Sequence, residues 1–257
     1  HKNAKQIDKK LSSIKVCDPA IGSGAFPVGM MAEIIRARSV LSNFIKDDDR
    51  TIYKFKRDCI ENSLYGVDID PGAVEIAKLR LWLALVVDEG DIKNIKPLPN
   101  LDYKIVCGNS LTGVEKNLFN SDLFKKLEEI KPLYFNETNP TKKQEYKIRI
   151  DELISQITSG HSEFDFEVFF SEVFHEKSGF DIIIGNPPYI DSETMVNLGL
   201  EDLRNYLVST LKFTRGNWDI YIAFLEVGFN LLNKSGIITY ITPDKWISKP
   251  FGYELRK

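Results

Sequence analysis

The chain has 257 residues, of which 43% are apolar and 28% are charged, and its formal net charge is −3 at pH 7. This balance is typical of a globular protein that buries a core, and it excludes a collagen, a coiled coil and a disordered chain. The longest apolar run, residues 81–87, is far shorter than the roughly 18 residues that span a bilayer, so we predict no membrane segment. Residues 1–13 lack the pattern of a secretory signal, and we therefore expect a cytoplasmic protein.

Cysteine and histidine are rare, which bears on redox and metal chemistry. Cys17, Cys59 and Cys107 lie in apolar or strand-like segments, so we expect buried, reduced thiols rather than disulfides. With only three histidines, we predict no metal site. The net charge lacks the basic excess of many nucleic-acid binders, although a local basic face is compatible with it.

Five short apolar strands alternate with helical patterns along the chain. In chain order, the predicted strands span residues 14–18, 63–69, 103–108, 180–185 and 237–241. Continuous apolar strands of this length are typical of a parallel sheet, and their alternation with helices indicates right-handed crossovers. The sequence therefore predicts an α/β fold with a doubly wound, mostly parallel sheet.

The helical segments differ in character. Residues 26–45 carry one apolar stripe, which predicts a single buried face. Residues 73–87 are apolar nearly all round, so we expect this helix to be buried on every side. A polar segment at about 117–162 has many charges and weak periodicity, which predicts a helical insertion between the third and fourth strands.

A glycine turn follows the first strand, and an acid ends the second. Gly22 and Gly24 allow the backbone to approach a ligand closely, and the helix behind them directs free amide groups at it. Asp68 is placed to accept hydrogen bonds from both hydroxyls of a ribose, whereas Asp70 is better placed to cap the helix that begins at Pro71. Asp68 lies much farther beyond Gly24 than the roughly 20 residues of a dinucleotide fingerprint. We explain the excess by a loop at 47–49 between two helices.

A proline-rich loop follows the fourth strand, with the sequence Asn186, Pro187, Pro188, Tyr189. Two prolines fix two φ angles and remove two donors, so the loop is rigid and leaves carbonyl oxygens free. The Asn186 side-chain oxygen and the Pro187 carbonyl are placed to accept the two protons of an exocyclic amine, while Tyr189 stacks on the attached ring. A proline turn that simply ends a strand is the alternative. Since the first and fourth strands are expected to be neighbours at the switch point of the sheet, both motifs would share one cleft.

Together these motifs resemble those of the S-adenosylmethionine-dependent N6-adenine DNA methyltransferases. The residues that carry the resemblance are DPAIGSGAF at 18–26, YGVDIDP at 65–71, GNS at 108–110 and NPPY at 186–189. With GNWDIYIAFLE at 216–226 and TPDKW at 242–246, the chain is similar more narrowly to the methylase portion of fused type II restriction-modification enzymes. The resemblance covers about residues 14–257 apart from the insertion.

The resemblance implies a Rossmann-like methyltransferase fold, S-adenosylmethionine as methyl donor, and double-stranded DNA with a flipped adenine as partner. The glycine turn would hold the methionine end of the cofactor, Asp68 its ribose, and Ile69 with Asn109 its adenine. The implied cofactor-binding residues are Asp18, Ala20, Gly22, Gly24, Phe26, Asp68, Ile69, Asn109 and Ser110. The implied catalytic residues are Asn186, Pro187 and Tyr189, with Tyr189 and Phe251 stacking on the target base and Tyr253 as the less favoured second ring.

Two residues depart from the family pattern. Ile21 stands where many relatives have cysteine, which has little effect if the backbone makes the contact. Asn109 replaces a common aspartate, so we expect a weaker grip on the cofactor amine. We expect residues 1–257 to be a methyltransferase catalytic domain within a longer protein, with a target recognition domain after Lys257.

Two other functions stay open. The same proline loop serves methyltransferases that act on protein glutamine or ribosomal RNA guanine amines, although Phe26, the insertion and residues 218–226 argue against them. A non-catalytic nucleotide-binding module is the second alternative. The basic residues Lys245, Lys249, Arg256 and Lys257 are suited to contact phosphates, and a solvated helix face explains them equally well.

Overall fold

The computed structural model describes residues 3–47, 49–87, 100–113, 121–158 and 164–257. The strands in these ranges are β1 (Val16–Asp18), β2 (Leu64–Asp68), β3 (Ile105–Cys107), β4 (Phe180–Gly185) and β5 (Leu232–Tyr240). They form one sheet in the order β3-β2-β1-β4-β5, and every neighbouring pair is parallel. The predicted parallel sheet is confirmed, including the pairing of the first strand with the fourth.

The helices cover the sheet and fill the segments between strands. They are α1 (Ala4–Ser12), α2 (Ala25–Leu41), α3 (Ile52–Asn62), α4 (Pro71–Val86), α5 (Ser121–Asn136), α6 (Pro140–Ile157), α7 (Phe166–Phe169), α8 (Ser171–Lys177), α9 (Ser192–Asn197), α10 (Glu201–Thr210), α11 (Ile220–Leu231), α12 (Lys245–Ser248) and α13 (Tyr253–Arg256). In the described ranges, no helix combines the length and the hydropathy that crossing a membrane requires.

Strand bounds agree best with the sequence where polar residues limit the apolar run sharply. β4 has the predicted bounds. β5 begins at Leu232 rather than Ile237, because Leu232 pairs with Phe180 and Ile237 pairs with Ile182. Residues 233–236, which look like a turn in the sequence, therefore lie inside the strand as a bulge.

Apolar clusters pack on both faces of the sheet. On one face, α2, α3 and α4 contribute Ile34, Phe55 and Leu81. On the other face the Tyr65 ring meets Phe170 and Phe180 edge to face, with centroids 5.0 Å and 5.4 Å away. Such aromatic pairs stabilise a core beyond the area that they bury. The doubly wound arrangement is therefore confirmed.

The chain before β2 also follows the prediction. Asp47 and Asp49 lie between α2 and α3, while Asp48 lies outside the described residues. Asp70 caps α4, because its Oδ1 accepts a hydrogen bond from the Gly72 amide at 2.8 Å and Pro71 occupies the first helical position. The Asp70 carboxylate therefore satisfies a helix amide that would otherwise lack a partner.

The expectation that residues 73–87 are buried on every side is wrong. One face of α4 packs into the core through Val74, Ala77, Leu81 and Leu85. The apolar side chains of the opposite face are exposed, namely Ile76, Leu79, Leu83 and Val87. Composition shows that a helix is apolar all round, but burial depends on what packs against each face.

The three thiols are not all buried. Cys17 and Cys59 are buried and free, as predicted, and burial raises the pKa of Cys59 to about 12. Cys107 is exposed, so the expectation of a buried thiol is wrong at this position. It is the last residue of β3, which is an edge strand of the sheet.

The predicted helical insertion is confirmed where it is described. It contains α5 and α6, while residues 117–120 and 159–162 lie outside the described ranges. The two helices share an apolar cluster with Tyr103 and Val168, and its members from the helices include Leu127, Tyr134, Ile150 and Leu153. The insertion thus packs on the rest of the fold through a shared apolar cluster, which its polar composition does not indicate.

Candidate functional site

A cleft of about 460 Å³ opens at the carboxyl edge of the sheet. Residues at or just after the ends of the first four strands line it, namely Pro19, Ala20, Gly22, Asp68, Ile69, Gly108, Asn109, Ser110, Asn186 and Pro188. Its apolar wall comes from Leu111, Ile190, Leu200, Leu203, Ile220 and Phe224. The structure therefore brings the glycine turn, Asp68 and the proline loop to one cleft, as the sequence predicts.

The glycine turn is held against β2. Gly22 has φ +51° and Gly24 has φ +81°, both in the left-handed region that favours glycine. The Ile21 amide donates to the Val67 carbonyl at 2.9 Å. The Ile21 side chain is buried against Gly66, where an added Cβ would lie 2.2 Å from Ile21 Cδ1. Ile21, the first departure from the family pattern, thus anchors the turn.

Asp68 joins two turns at the edge of the cleft. Its Oδ2 accepts from the Gly22 amide at 2.8 Å, and its Oδ1 accepts from the Asp70 amide at 3.0 Å. Each carboxylate oxygen has a second lone pair, so both remain able to accept from a ligand hydroxyl. Asp68 therefore both fixes the glycine turn and presents acceptors to the cleft.

Asp18 is a buried acid beside the cleft. Its Oδ1 accepts from the Ala20 amide at 3.0 Å, while its Oδ2 is buried and has no hydrogen-bond partner among the described residues. Burial raises the pKa of this carboxyl to about 7, and the nearby Asp68 charge adds to the rise. The carboxyl fits against β4 because residue 185 is glycine, where an added Cβ would lie 2.6 Å from Asp18 Oδ1. A buried acceptor without a partner gains most from a cation or a donor on a ligand.

The loop after β3 is fastened to the glycine turn. Ser110 is buried, and its hydroxyl donates to the Pro19 carbonyl at 2.6 Å. Asn109 Oδ1 accepts from the Leu111 amide at 3.0 Å. The Ser110 hydroxyl therefore supports the cleft wall. Among the described residues, none accepts a hydrogen bond from Asn109 Nδ2, so its donors are available to a ligand. Ile69 completes this end of the cleft with a side chain that is 70% exposed.

Gly24 and Phe26 are placed differently from most of the residues that are predicted to bind the cofactor. Both lie at the start of α2, and neither is among the described residues that line the cleft. An added Cβ at Gly24 would lie 3.1 Å from Ala77. Gly24 thus allows α2 to pack closely on α4, and Phe26 is half-buried in the first turn of α2.

The proline loop presents Asn186 and Tyr189 to solvent. The Tyr189 side chain is 45% exposed, and its hydroxyl contacts both Asn186 Oδ1 and the Ile241 carbonyl oxygen, the latter at 2.9 Å. A phenol has one proton, so it donates to one of these two acceptors at a time. The hydroxyl thereby connects the loop after β4 with the end of β5.

A second ring beside Tyr189 comes from α11. Tyr221 meets Tyr189 edge to face, with centroids 6.1 Å apart. Phe251, predicted to stack on a base, is half-buried and packs on an apolar cluster that includes Trp218 and Phe224. Tyr253 is exposed. The structure therefore brings Tyr189 and Tyr221 together and places Phe251 on the apolar side of the site.

Sequence reasoning missed the apolar wall and Tyr221. Leu200 and Leu203 reach the cleft at the start of α10, and Leu207 continues the same face into the core. Their spacing of three and four residues is a helical signal that was available. Tyr221 lies within the segment that carries the narrower resemblance, but its contact with Tyr189 depends on how α11 packs.

A parallel sheet of this strand order, with a cleft at its carboxyl edge, defines a Rossmann-like methyltransferase fold. Within this class, the chain belongs to the Eco57I restriction-modification methylase family, whose profile matches residues 62–257.

Two solved structures share the fold. A nuclease-deletion mutant of the Type ISP restriction-modification enzyme LlaGI, in complex with a DNA substrate mimic, matches 99% of this chain and 18% of its own, with a TM-score of 0.52 and 15% identity. The ATP-dependent Type ISP restriction-modification enzyme LlaBIII bound to DNA matches 95% of this chain and 13% of its own, with a TM-score of 0.50 and 17% identity.

Two curated relatives are much longer than the matched region. The putative type II restriction enzyme and methyltransferase RM.MjaORFECS2P of Methanocaldococcus jannaschii is 44% identical over 114 residues, which are 42% of this chain and 10% of the relative. The type II restriction enzyme and methyltransferase RM.Eco57I of Escherichia coli is 26% identical over 267 residues, which are 97% of this chain and 22% of the relative.

Proposed function

We propose that the chain transfers a methyl group from S-adenosylmethionine to the N6 amine of an adenine flipped out of double-stranded DNA. The observation that carries this proposal is the single cleft that joins Asp68 and the glycine turn to Asn186 and Pro188. Membership of a restriction-modification methylase family supports it. The reaction would serve the modification activity of a restriction-modification system.

The residues of the cleft fit the cofactor. Asp68 has acceptors for two ribose hydroxyls, and Ile69 with Asn109 would hold the adenine. The unpartnered Oδ2 of Asp18 would accept from the ammonium group at the methionine end, because a buried carboxylate is stabilised by an opposite charge. When bound, the cofactor supplies an electrophilic methyl group.

The proline loop would hold the target amine. Asn186 Oδ1 and the Pro187 carbonyl oxygen accept its two protons, which favours a pyramidal nitrogen and stabilises the positive charge that develops on it. Tyr189 stacks on one face of the base and Phe251 on the other, each for roughly 1 to 3 kcal/mol, which offsets the few kcal/mol that flipping costs. Positioning supplies about 7 to 11 kcal/mol, so geometry is the main catalytic contribution.

We also propose a domain organisation for the protein. Residues 1–257 would form the catalytic domain, with the helical insertion at about 117–162, and a target recognition domain would follow in a longer cytoplasmic protein. The names of the two long relatives join a restriction enzyme with a methyltransferase. They support a further proposal, that an endonuclease belongs to the same polypeptide.

Methyl transfer tests the reaction directly. Labelled S-adenosylmethionine is incubated with the full-length protein and, separately, duplex DNA, protein release factor and ribosomal RNA. We expect label in the DNA alone, and Asn186→Ala is expected to abolish it because the amine loses an acceptor. Label in release factor or RNA instead would support the alternative amine substrates and contradict the proposal.

Calorimetric titration with S-adenosylhomocysteine tests the division of roles. We expect wild type and Asn186→Ala to bind it about equally, Asp68→Ala to bind it more weakly, and NAD not to bind. Equal loss of cofactor binding and methyl transfer in Asn186→Ala would contradict separate roles for the two halves of the cleft.

A further inference from the structure

The segment that precedes α11 pairs with the end of the proline loop. An isolated antiparallel bridge joins Asp191 with Asp219. Two main-chain hydrogen bonds, of 2.8 Å and 2.9 Å, flank this bridge on its two sides. Residues 216–226, which carry the narrower resemblance, thus begin with a segment that lies against the loop, although the proposed function gives residues 217–219 no role.

The side chain of Asp219 adds a hydrogen bond to this pairing. Its Oδ1 accepts from the Ile190 amide at 2.9 Å. The Ile190 carbonyl in turn accepts from the Ile220 amide at 2.9 Å. Both main-chain polar groups of Ile190 are therefore held by the segment before α11, one residue beyond Tyr189.

The rest of the proline loop has few main-chain bonds of its own. Pro187 and Pro188 have no N–H group to donate. In the part of the chain that the structure describes, the main-chain groups of residues 187–190 form two hydrogen bonds, and both belong to Ile190. The Pro187 carbonyl oxygen is therefore left to accept from a ligand, and the position of the loop depends on Ile190 together with the hydroxyl of Tyr189.

An acid at position 219 is costly to bury. Asp219 is only 8% exposed. Burial raises the pKa of its carboxyl, and repulsion from Asp191 adds to the rise, although the bond from the Ile190 amide and attraction to Lys245 oppose it. Acids are rarely buried unless a partner compensates for the lost hydration. Packing alone therefore does not account for an acid at this position.

The aromatic ring of the loop is supported from the same place. Tyr221 lies two residues beyond Asp219 and meets the Tyr189 ring edge to face, with centroids 6.1 Å apart. Edge-to-face pairs of this kind fix the relative orientation of two rings. The first turn of α11 and the residue before it therefore hold both the backbone and the ring of the loop.

We propose that Asp219 is a positioning residue for methyl transfer, which acts by holding the Ile190 amide. This hydrogen bond would fix the loop that carries the three implied catalytic residues against the target base. The inference rests on the proposed function of the cleft. Because Oδ1 acts as a hydrogen-bond acceptor, an amide oxygen at the same place should serve as well as the carboxylate.

Hydrogen exchange tests the hold on the loop without any substrate. Since proline has no N–H group, residues 187–190 report only two amides, those of Tyr189 and Ile190. In the full-length protein, we expect Asp219→Ala to speed exchange in this stretch about tenfold, because the Ile190 amide loses its acceptor. Asp219→Asn keeps the acceptor and should exchange like the wild type.

Single-turnover methyl transfer tests the effect on the reaction, with saturating S-adenosylmethionine and the duplex DNA that the labelling experiment identifies as substrate. A displacement of about 1 Å can lower a rate about 100-fold, so we expect a fall of about 10- to 100-fold in Asp219→Ala. Asp219→Asn should restore the rate. Affinity for S-adenosylhomocysteine should match the wild type in both variants, which also shows that both are folded.

Asp181→Ala is the matched control, because Asp181 also holds a distant amide but lies at the other end of β4. Its Oδ2 accepts from the Lys15 amide at 2.8 Å. We expect this variant to leave both the exchange of residues 187–190 and the rate of methyl transfer unchanged.

Two results would overturn the proposal. One is a wild-type rate and wild-type exchange in Asp219→Ala. The other is an Asp219→Asn variant as slow as Asp219→Ala, which would show that the acceptor is not what matters. Absence of methyl transfer in the wild type would instead contradict the proposed function of the cleft, and hydrogen exchange would still decide whether Asp219 holds the loop.

Discussion

The surroundings of Asp18 make the stability of this fold depend on pH. Its pKa is raised to about 7 in the folded chain, against about 3.9 when unfolded. Between these values the folded chain holds a proton that the unfolded chain has lost, so the free energy of unfolding falls as pH rises. We expect denaturant unfolding to show lower stability at pH 8 than at pH 5, by roughly 2 to 3 kcal/mol at most, because about two units of the pKa difference fall inside this pH range. Asp18→Asn should flatten this dependence.

The same carboxyl predicts proton release on cofactor binding. An ammonium group placed against Asp18 Oδ2 favours the ionised acid, so at pH 6 the binding of S-adenosylhomocysteine should release up to about one proton. Calorimetry in buffers of different ionisation enthalpy measures this number. Proton uptake, or the same release in Asp18→Asn, would contradict the assigned contact.

Tyr189 offers a hydroxyl and a ring with separable roles. Tyr189→Phe removes the contacts with Asn186 and Ile241 but keeps the ring, so we expect methyl transfer to remain within about tenfold of wild type. Tyr189→Ala removes the ring, and loss of roughly 1 to 3 kcal/mol of stacking should weaken target binding about 5- to 150-fold. The measured quantities are the KM for DNA, which reports target binding, and the affinity for S-adenosylhomocysteine. The affinity for S-adenosylhomocysteine should not change. Equal effects of the two variants on KM would contradict a stacking role.

At the scale of elements, β2 packs closely on the glycine turn. A Cβ at Gly66 would overlap Ile21 Cδ1, so Gly66→Ala should cost about 1 to 3 kcal/mol of stability and displace the turn. The matched control is Gly29→Ala in α2, where an added Cβ meets nothing within 4 Å and helix propensity should stabilise by about 0.5 to 1 kcal/mol. Thermal unfolding and calorimetric titration measure both effects. Unchanged cofactor affinity in Gly66→Ala would show that the turn does not depend on Ile21.

The helices and strands also show which structural features a local sequence pattern can predict. The residues of β4 could be predicted because parallel strands need a continuous apolar run. The capping role of Asp70 could be predicted because an acid before proline satisfies a helix amide. The start of β5 at Leu232 and the exposed face of α4 could not, because both depend on register and packing between distant segments. Most of the topology could thus be predicted from local sequence, whereas the element bounds depend on packing between distant segments.

For the site, too, the sequence predicts residues at strand ends but not contacts between distant segments. Asp68 and Asn186 were accessible to sequence reasoning because strand ends of a parallel sheet meet at one edge. The link between Ser110 and Pro19 and the contact of Tyr221 with Tyr189 were not, since each joins residues that are far apart in the chain. Neither partner indicates the other by its type or spacing.

For the whole molecule, two cavities at opposite edges of one sheet should act independently. One is the cleft, and the other lies at the amino edge, where Lys15 and Lys104 are among the residues that line it. They share none of their lining residues, and distant sites usually contribute additively. We therefore expect Lys104→Met, a substitution in the cavity at the amino edge, to leave the affinity for S-adenosylhomocysteine unchanged in calorimetric titration. A clearly weaker affinity in Lys104→Met would show that the two edges of the sheet are coupled.

The exposed thiol at the end of β3 makes the cleft accessible to chemical labelling. Cys17 and Cys59 are buried, whereas Cys107 is exposed and its Sγ lies 3.6 Å from the carbonyl oxygen of Ile69, a residue of the cleft wall. A maleimide fluorophore should therefore attach at a single position without any engineered substitution. Its emission would report ligand binding in the cleft from a fixed position, so the chain could serve as a fluorescent sensor with its natural sequence.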